Sequence, residues 1–185
     1  MNKQPQITER TRRTFIEVFC ELYSQKPIEK ISIQEIANRS GYNRSTFYQY
    51  FTDIYELRDS IENDLLGDIK EALENREVFA HGITNALHCL EEKEHMAILN
   101  ALLGDYGGMR FLERLKNELP LDKLLLKLPE SEPITPYLIE FYISTSLSLF
   151  RLWFRRQKDL PPEELAVLMH NLYTAGISYR NNKTK

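Results

Sequence analysis

The string Arg44-Ser45-Thr46-Phe47-Tyr48-Gln49-Tyr50 gathers a guanidinium, several hydroxyls and a carboxamide around one large apolar ring. On a helix these groups divide. Phe47 plugs a core, while Arg44, Ser45, Thr46, Tyr48, Gln49 and Tyr50 present donors and rings on the outer face. That mixture suits a nucleic acid, because Arg and Gln reach base edges and hydroxyls reach phosphate oxygens. A purely structural hairpin has no need for Ser-Thr and two tyrosines facing water.

Other chemistry fares less well. His81, His88 and His95 recur at seven-residue spacing, with Cys89 and Glu92 nearby. Two ligands sharing an ion from one helix sit three or four residues apart. Seven residues separate them by about 10.5 Å of rise, so no metal is expected and the histidines read as surface or core residues. No Gly-rich phosphate loop, nucleophile elbow or His-Glu-x-x-His is present. Asp105-Tyr106-Gly107-Gly108 reads as a turn and Glu91-Glu92 as a solvated helix face, so neither an enzyme nor a cofactor is expected.

The elements that would carry the reading surface follow from spacing. Phe15, Ile16, Val18, Phe19, Leu22 and Tyr23 form one apolar face over about residues 8–25, with Thr8 as a candidate cap. Lys26-Pro27-Ile28 ends that helix. Ser32-Ile33-Gln34-Glu35 reads as a capping box in which the Ser hydroxyl takes a helix-start amide and the Glu reaches back. The helix it opens carries Ile33, Ile36 and Ala37 inward and stops at Gly41, which adopts positive φ cheaply. Tyr42 or Asn43 then starts a second short helix, Arg44 to Tyr50. Two such short helices joined by a Gly-containing link make a helix-turn-helix, whose second helix enters the major groove.

Ile33-Gln34-Glu35-Ile36-Ala37, Ser40-Gly41-Tyr42, Arg44-Ser45-Thr46-Phe47-Tyr48-Gln49-Tyr50-Phe51 and Leu57 together resemble the amino-terminal domain of TetR-type transcriptional regulators. The resemblance covers about residues 8–61. It implies a homodimeric, all-helical repressor whose larger carboxy-terminal domain binds a ligand and pairs two subunits. It also implies that Arg44, Ser45, Thr46, Tyr48 and Tyr50 lie at base- and phosphate-contacting positions, and Ser32 and Gln34 at phosphate-contacting ones. Arg44 and Gln49 are the expected base readers, with Ser45, Thr46, Tyr48 and Tyr50 set on phosphates. One departure stands out: most members carry a lysine shortly after the Phe51 position, where this chain reads Thr52-Asp53-Ile54-Tyr55-Glu56-Leu57. Asp53 with Glu56 makes a capping box there, and the Tyr55 hydroxyl is the candidate replacement for the lysine.

Composition frames the rest. Of 185 residues, 42% are hydrophobic and 28% charged, with only 7 Gly and 8 Pro, which favours helices over a turn-rich β fold. Cys20 and Cys89 lie far apart in apolar runs, matching free thiols and a cytoplasmic setting. The amino terminus lacks the apolar core of a signal peptide, and the apolar stretch 137–154 contains Glu140, Arg151 and several Ser/Thr, so no membrane partner is expected. The net charge of −3 hides an asymmetry: up to Thr52 eight basic residues face five acidic ones, and the remainder is acidic. A basic end on an acidic body places a polyanion at the first part only.

The expected architecture is all-α with about nine helices: a three-helix helix-turn-helix DNA-binding domain, 1–52 (to about 61 with the start of the connecting helix), and a larger helical ligand-binding and dimerisation domain, 53–185. Residues 53–75 read as one long helix, followed by helices near 80–92, 94–103, 110–119, 120–128 and 135–157. Phe79, Tyr106, Phe111, Tyr137 and Phe141 supply aromatic material for an effector pocket. Leu149 and Trp153, with Leu165, Leu168, Met169 and Leu172 on the final helix, read as the seam of a four-helix dimer bundle. The expected partners are a double-stranded DNA operator, a second copy of the chain, and an unidentified small-molecule effector or partner protein. The alternative reading is an all-α interaction module that no longer reads DNA.

Overall fold

Helix formation follows the apolar periodicity throughout. The computed structural model describes residues 4–74, 87–90, 93–119 and 133–181. Helix α1 spans Gln4–Tyr23, a 3-10 turn Ile28–Lys30, α2 Ile33–Ser40, α3 Arg44–Phe47 and α4 Ile54–Glu74. Then come α5 Lys93–Leu102, α6 Gly108–Glu118, α7 Thr135–Arg155 and α8 Pro162–Asn181. Residues 87–90 are also helical. The chain is all-helical, and among the described residues no helix is long and apolar enough to cross a membrane.

Several boundaries differ from expectation. Because α1 begins at Gln4, Thr8 lies inside the helix and is not its cap. The α-helical part of α3 stops at Phe47, and Gln49 and Tyr50 continue as tight turns whose amides donate to Thr46 O and Phe47 O. The helix expected over 120–128 lies outside the described residues, as does most of the one expected over 80–92.

Packing divides the chain into two units, Met1–Gly67 with Glu92–Glu113, and Asp68–Glu91 with Arg114–Lys185. Two of the three divisions fall inside α4 and α6. In the first unit α1 packs on α5 and α2, and α2 on α3. Phe15, Phe19 and Leu22 of α1 are buried, as are Ile36, Ala37, Phe47, Leu57, Ile61, Leu65, Leu102 and Phe111. One charged group joins them. Glu62 is 1% exposed, and its carboxylate accepts from Arg110 Nη1 of α6 at 2.6 Å with Arg58 Nε at 3.7 Å.

In the second unit α7 and α8 bury Tyr142, Ile143, Phe150, Trp153, Leu165, Ala166, Met169 and Tyr173. The Tyr173 hydroxyl bonds with those of Thr145 and Ser146, at 2.8 and 3.1 Å, which offsets the cost of burying the tyrosine. Trp153 Nε1 donates to Leu160 O at 2.7 Å and its ring lies 5.9 Å from Phe150. The chain leaves α7 through Gln157 and Lys158, both at positive φ (59° and 56°).

The stripe read along α8 is therefore two faces. Leu165 and Met169 point into the protomer with Trp153, and Leu149 is half-buried. Leu168 and Leu172 lie outside with Val167, at 42%, 54% and 50% exposure. Tyr137, Phe141 and Leu152 form a matching exposed row on α7.

Candidate nucleic-acid interface

The reading surface rests on two caps and one aromatic cluster. Ser32 is extended, and its hydroxyl accepts the Glu35 amide at 3.1 Å, as a cap should. Glu35 does not reach back. Its carboxylate pairs with Lys26 at 2.5 Å and Arg39 at 3.6 Å, and Arg39 also meets Glu21 at 3.2 Å. Two cations brought close by the fold outcompete one backbone amide, so only half of the expected box forms. At the other end of α2, Gly41 sits at φ 74°, and the Tyr42 amide folds back on Ala37 O at 3.0 Å. This left-handed cap aims the chain into α3.

Asn43 organises α3. Its side-chain oxygen accepts from the Thr46 amide (2.8 Å), the Ser45 hydroxyl (2.6 Å) and the Thr46 hydroxyl (2.9 Å). An amide N–H can only donate, so Asn43 Oδ1 faces it and both hydroxyl protons are committed to that oxygen. Sequence reasoning named Asn43 only as a helix start. An Asn immediately before Arg-Ser-Thr is the signal that would have given it this larger part.

Phe47 is fully buried against Phe15 (5.4 Å between centroids) and Phe51 (5.5 Å). Tyr42 and Tyr50 also pack on Phe15, at 5.4 and 5.9 Å, and the Thr11 hydroxyl donates to Tyr42 Oη at 3.2 Å. Arg12 holds α1 to α4 through Ser60 and Asp64, both at 2.6 Å. On this frame Arg44, Ser45, Tyr48 and Gln49 are exposed, and Thr46 and Tyr50 are half-buried. Each of these expected residues thus keeps some exposed surface, with Tyr50 partly spent on packing. Ser32 and Gln34 are also exposed, and Gln34 Nε2 donates to Asn38 at 2.7 Å.

After Phe51, Asp53 Oδ1 accepts the Tyr55 and Glu56 amides at 2.8 Å each. Glu56 reaches back one residue further than expected, to the Thr52 amide. The hydrogen bonds from Thr52, side chain and backbone, hold the Glu56 carboxyl below its usual range. Tyr55, the candidate replacement for the absent lysine, is 44% exposed and has the Arg58 guanidinium over its ring at 5.5 Å.

Residues 15–61 match the family model described as "Bacterial regulatory proteins, tetR family". The helix-turn-helix segment belongs to the TetR family. TetR-type solved structures also share the all-helical fold of the whole chain. A TetR transcriptional regulator from Streptococcus agalactiae 2603V aligns with TM-score 0.64 at 19% identity, over 92% of this chain and 97% of that one. A TetR-family regulator from Streptomyces coelicolor aligns at 0.61 and 18%, over 91% and 83%. The dihydroxyacetone kinase operon activator DhaS aligns at 0.55 and 19%, over 91% and 97%.

The described aromatic residues expected at an effector pocket are divided between the two units. Phe111 is fully buried in the first unit, Tyr106 is exposed in the same unit, and Tyr137 and Phe141 are exposed in the second. Phe79 and His81 lie outside the described residues. His88 pairs with Glu163 at 3.3 Å, and among the described residues no three His, Cys, Asp or Glu side chains gather as a metal site would need.

Proposed function

We propose that this chain is a transcriptional repressor that binds a palindromic operator as a homodimer, reading it with α3 of each subunit. The observation that carries the reading is the surface of Arg44, Ser45, Tyr48 and Gln49, exposed on a two-helix frame whose core residue Phe47 is fully buried. A structural helical pair has no need of the Arg44, Tyr48 and Gln49 donors on that surface. Ser32 and Gln34 join it at the start of α2, where Ser32 accepts an amide and keeps its own proton for a phosphate oxygen. Residues 1–52 do the reading and 53–185 carry pairing and effector reception.

The homodimer is supported by the two exposed apolar rows, Tyr137, Phe141 and Leu152 on α7 and Val167, Leu168 and Leu172 on α8. A two-fold axis beside these rows buries them as a four-helix bundle. Leu168 and Leu172 are the core of that interface, while Trp153, Leu165 and Met169 support it from behind.

Selection of genomic fragments by the purified protein tests the function. A two-fold symmetric site, bound with steep salt dependence, is the expected result. No enrichment over random DNA by folded protein overturns the reading. Leu168→Glu with Leu172→Glu should yield monomer by light scattering and abolish high-affinity binding to the full site. A reporter driven from the recovered site reads the sign: repression predicts lower output with the protein present. DhaS, an activator by name, illustrates the opposite outcome on this fold.

A further inference from the structure

The Arg44 guanidinium does not project freely from the reading surface. Its Nη2 donates to the Tyr48 hydroxyl at 3.0 Å, and its central carbon lies 5.8 Å from the centre of the same ring. Arg44 and Tyr48 stand four residues apart, so they share one side of the reading turn, and Tyr48 itself is held edge-on by buried Phe47 at 5.9 Å. An anchored ring thus fixes the plane of an otherwise mobile cation. We propose that Tyr48 is a positioning residue for Arg44, and that the pair reads a guanine in the operator. This rests on the DNA-binding reading above and assigns the base.

The chemistry follows from counting donors. Guanidinium presents two edges with paired, parallel N–H groups, one formed by Nη1 and Nη2 and the other by Nε and Nη2. Nη2 carries one proton on each edge. Whichever proton goes to Tyr48, one complete two-donor edge remains. Guanine offers the matching pair of acceptors, O6 and N7, in the major groove, and no other base offers two acceptors there. Ser45 and Thr46 flank Arg44 with their protons already given to Asn43, so they do not compete for those acceptors. Holding the fork in plane before binding removes ordering cost from the specific complex and does little for non-specific contact with phosphates. A tyrosine serving only as a phosphate contact would act on every sequence alike.

The test uses the full chain and the site recovered by selection. Replacing each guanine in turn by 7-deazaguanine removes N7 alone. For the native protein, one position per half-site should lose about tenfold in affinity, and the Arg44→Ala protein should be insensitive there. Tyr48→Phe keeps the ring and removes the hydroxyl. It should weaken the selected site several-fold more than a scrambled duplex, and should add nothing to that discrimination in an Arg44→Ala background. Equal weakening of both duplexes, at an unchanged salt slope because no charge is removed, would make Tyr48 a phosphate contact and overturn the proposal. So would a full set of 7-deazaguanine penalties that survive Arg44→Ala. Both results leave sequence-specific binding intact, whereas failure to recover any site removes the parent reading too.

Discussion

Arg110→Ala is the substitution with the clearest energetic consequence. Glu62 is buried, and its nearest cation is Arg110 Nη1 at 2.6 Å, with Arg58 Nε at 3.7 Å. At an effective dielectric of about 20 the shorter pair attracts by about 6 kcal/mol and the longer by about 4–5 kcal/mol, before the cost of desolvating the carboxylate. Stranding a buried charge altogether costs about 3–5 kcal/mol. Glu62 would not be stranded, because Arg58 stays, and Arg110 is itself 42% exposed, so water already screens part of its contribution. The expected loss for Arg110→Ala is therefore about 2 kcal/mol, below the range for a wholly orphaned charge. In a Glu62→Gln background the same substitution should still cost about 0.5–1 kcal/mol, because the Arg110–Asp59 pair at 3.1 Å is lost there too, giving a coupling of about 1–1.5 kcal/mol. Urea unfolding at fixed protein concentration gives the totals. Hydrogen exchange of the α4 amides around residue 62 confines the effect to the first unit. A coupling below about 0.5 kcal/mol would refute the reasoning, since it would mean that Glu62 gains nothing specific from Arg110.

Backbone handedness predicts two changes of opposite sign. Gly41→Ala meets no neighbouring atom but keeps φ near 74°, so it should destabilise by about 1–2 kcal/mol, with Gly41→Asn costing less. Gln157→Gly relieves a non-glycine residue at φ 59° and should stabilise by up to about 1 kcal/mol in the same urea assay. Burial, reinforced by Glu17, pushes the Cys20 thiol up to about 12, so at pH 8 a disulfide reagent should label Cys20 only after unfolding. Burial raises the Asp59 carboxyl, but the hydrogen bonds and charges of Arg58 and Arg110 outweigh it and leave the group below its ordinary value. That stability is present above the unfolded carboxyl range and fades as pH falls below about 4, so Asp59→Asn should flatten the acid limb of the urea midpoint.

Much of the first unit was legible because its signals are local. Gly41 announces a left-handed cap and Ser32 an N-cap, and Phe47 sits between polar neighbours at the spacing of a buried plug. The misreadings arise where the deciding partner is distant in sequence or where two answers share one period. Glu35 was expected to turn back to Ser32; Arg39, one helical turn on, was a local signal for the other outcome, but the closer cation, Lys26, meets Glu35 only in the folded chain. Nothing around Glu62 marks a buried carboxylate, because Arg110 follows 48 residues later. On α8 the apolar period is plain. Which of its two apolar rows faces the protomer depends on α7, where Tyr142 packs on Tyr173, and spacing along α8 alone does not encode that.

The ion pairs behind the reading surface bear on how such a protein finds its target. Lys26 and Arg39 face Glu35 and Glu21, and Arg12 faces Asp64, so three cations of the amino-terminal segment are paired with the chain's own acids. Any duplex attracts a basic protein in proportion to the phosphates it neutralises, and a genome offers about 10⁶–10⁹ such decoy positions. Cancelling those cations within the fold loosens the grip on decoys. On the proposed DNA-binding function, each chance encounter is then briefer and less of the protein is held by bulk chromosome. The cost falls on the search itself, which proceeds by short hops rather than long slides.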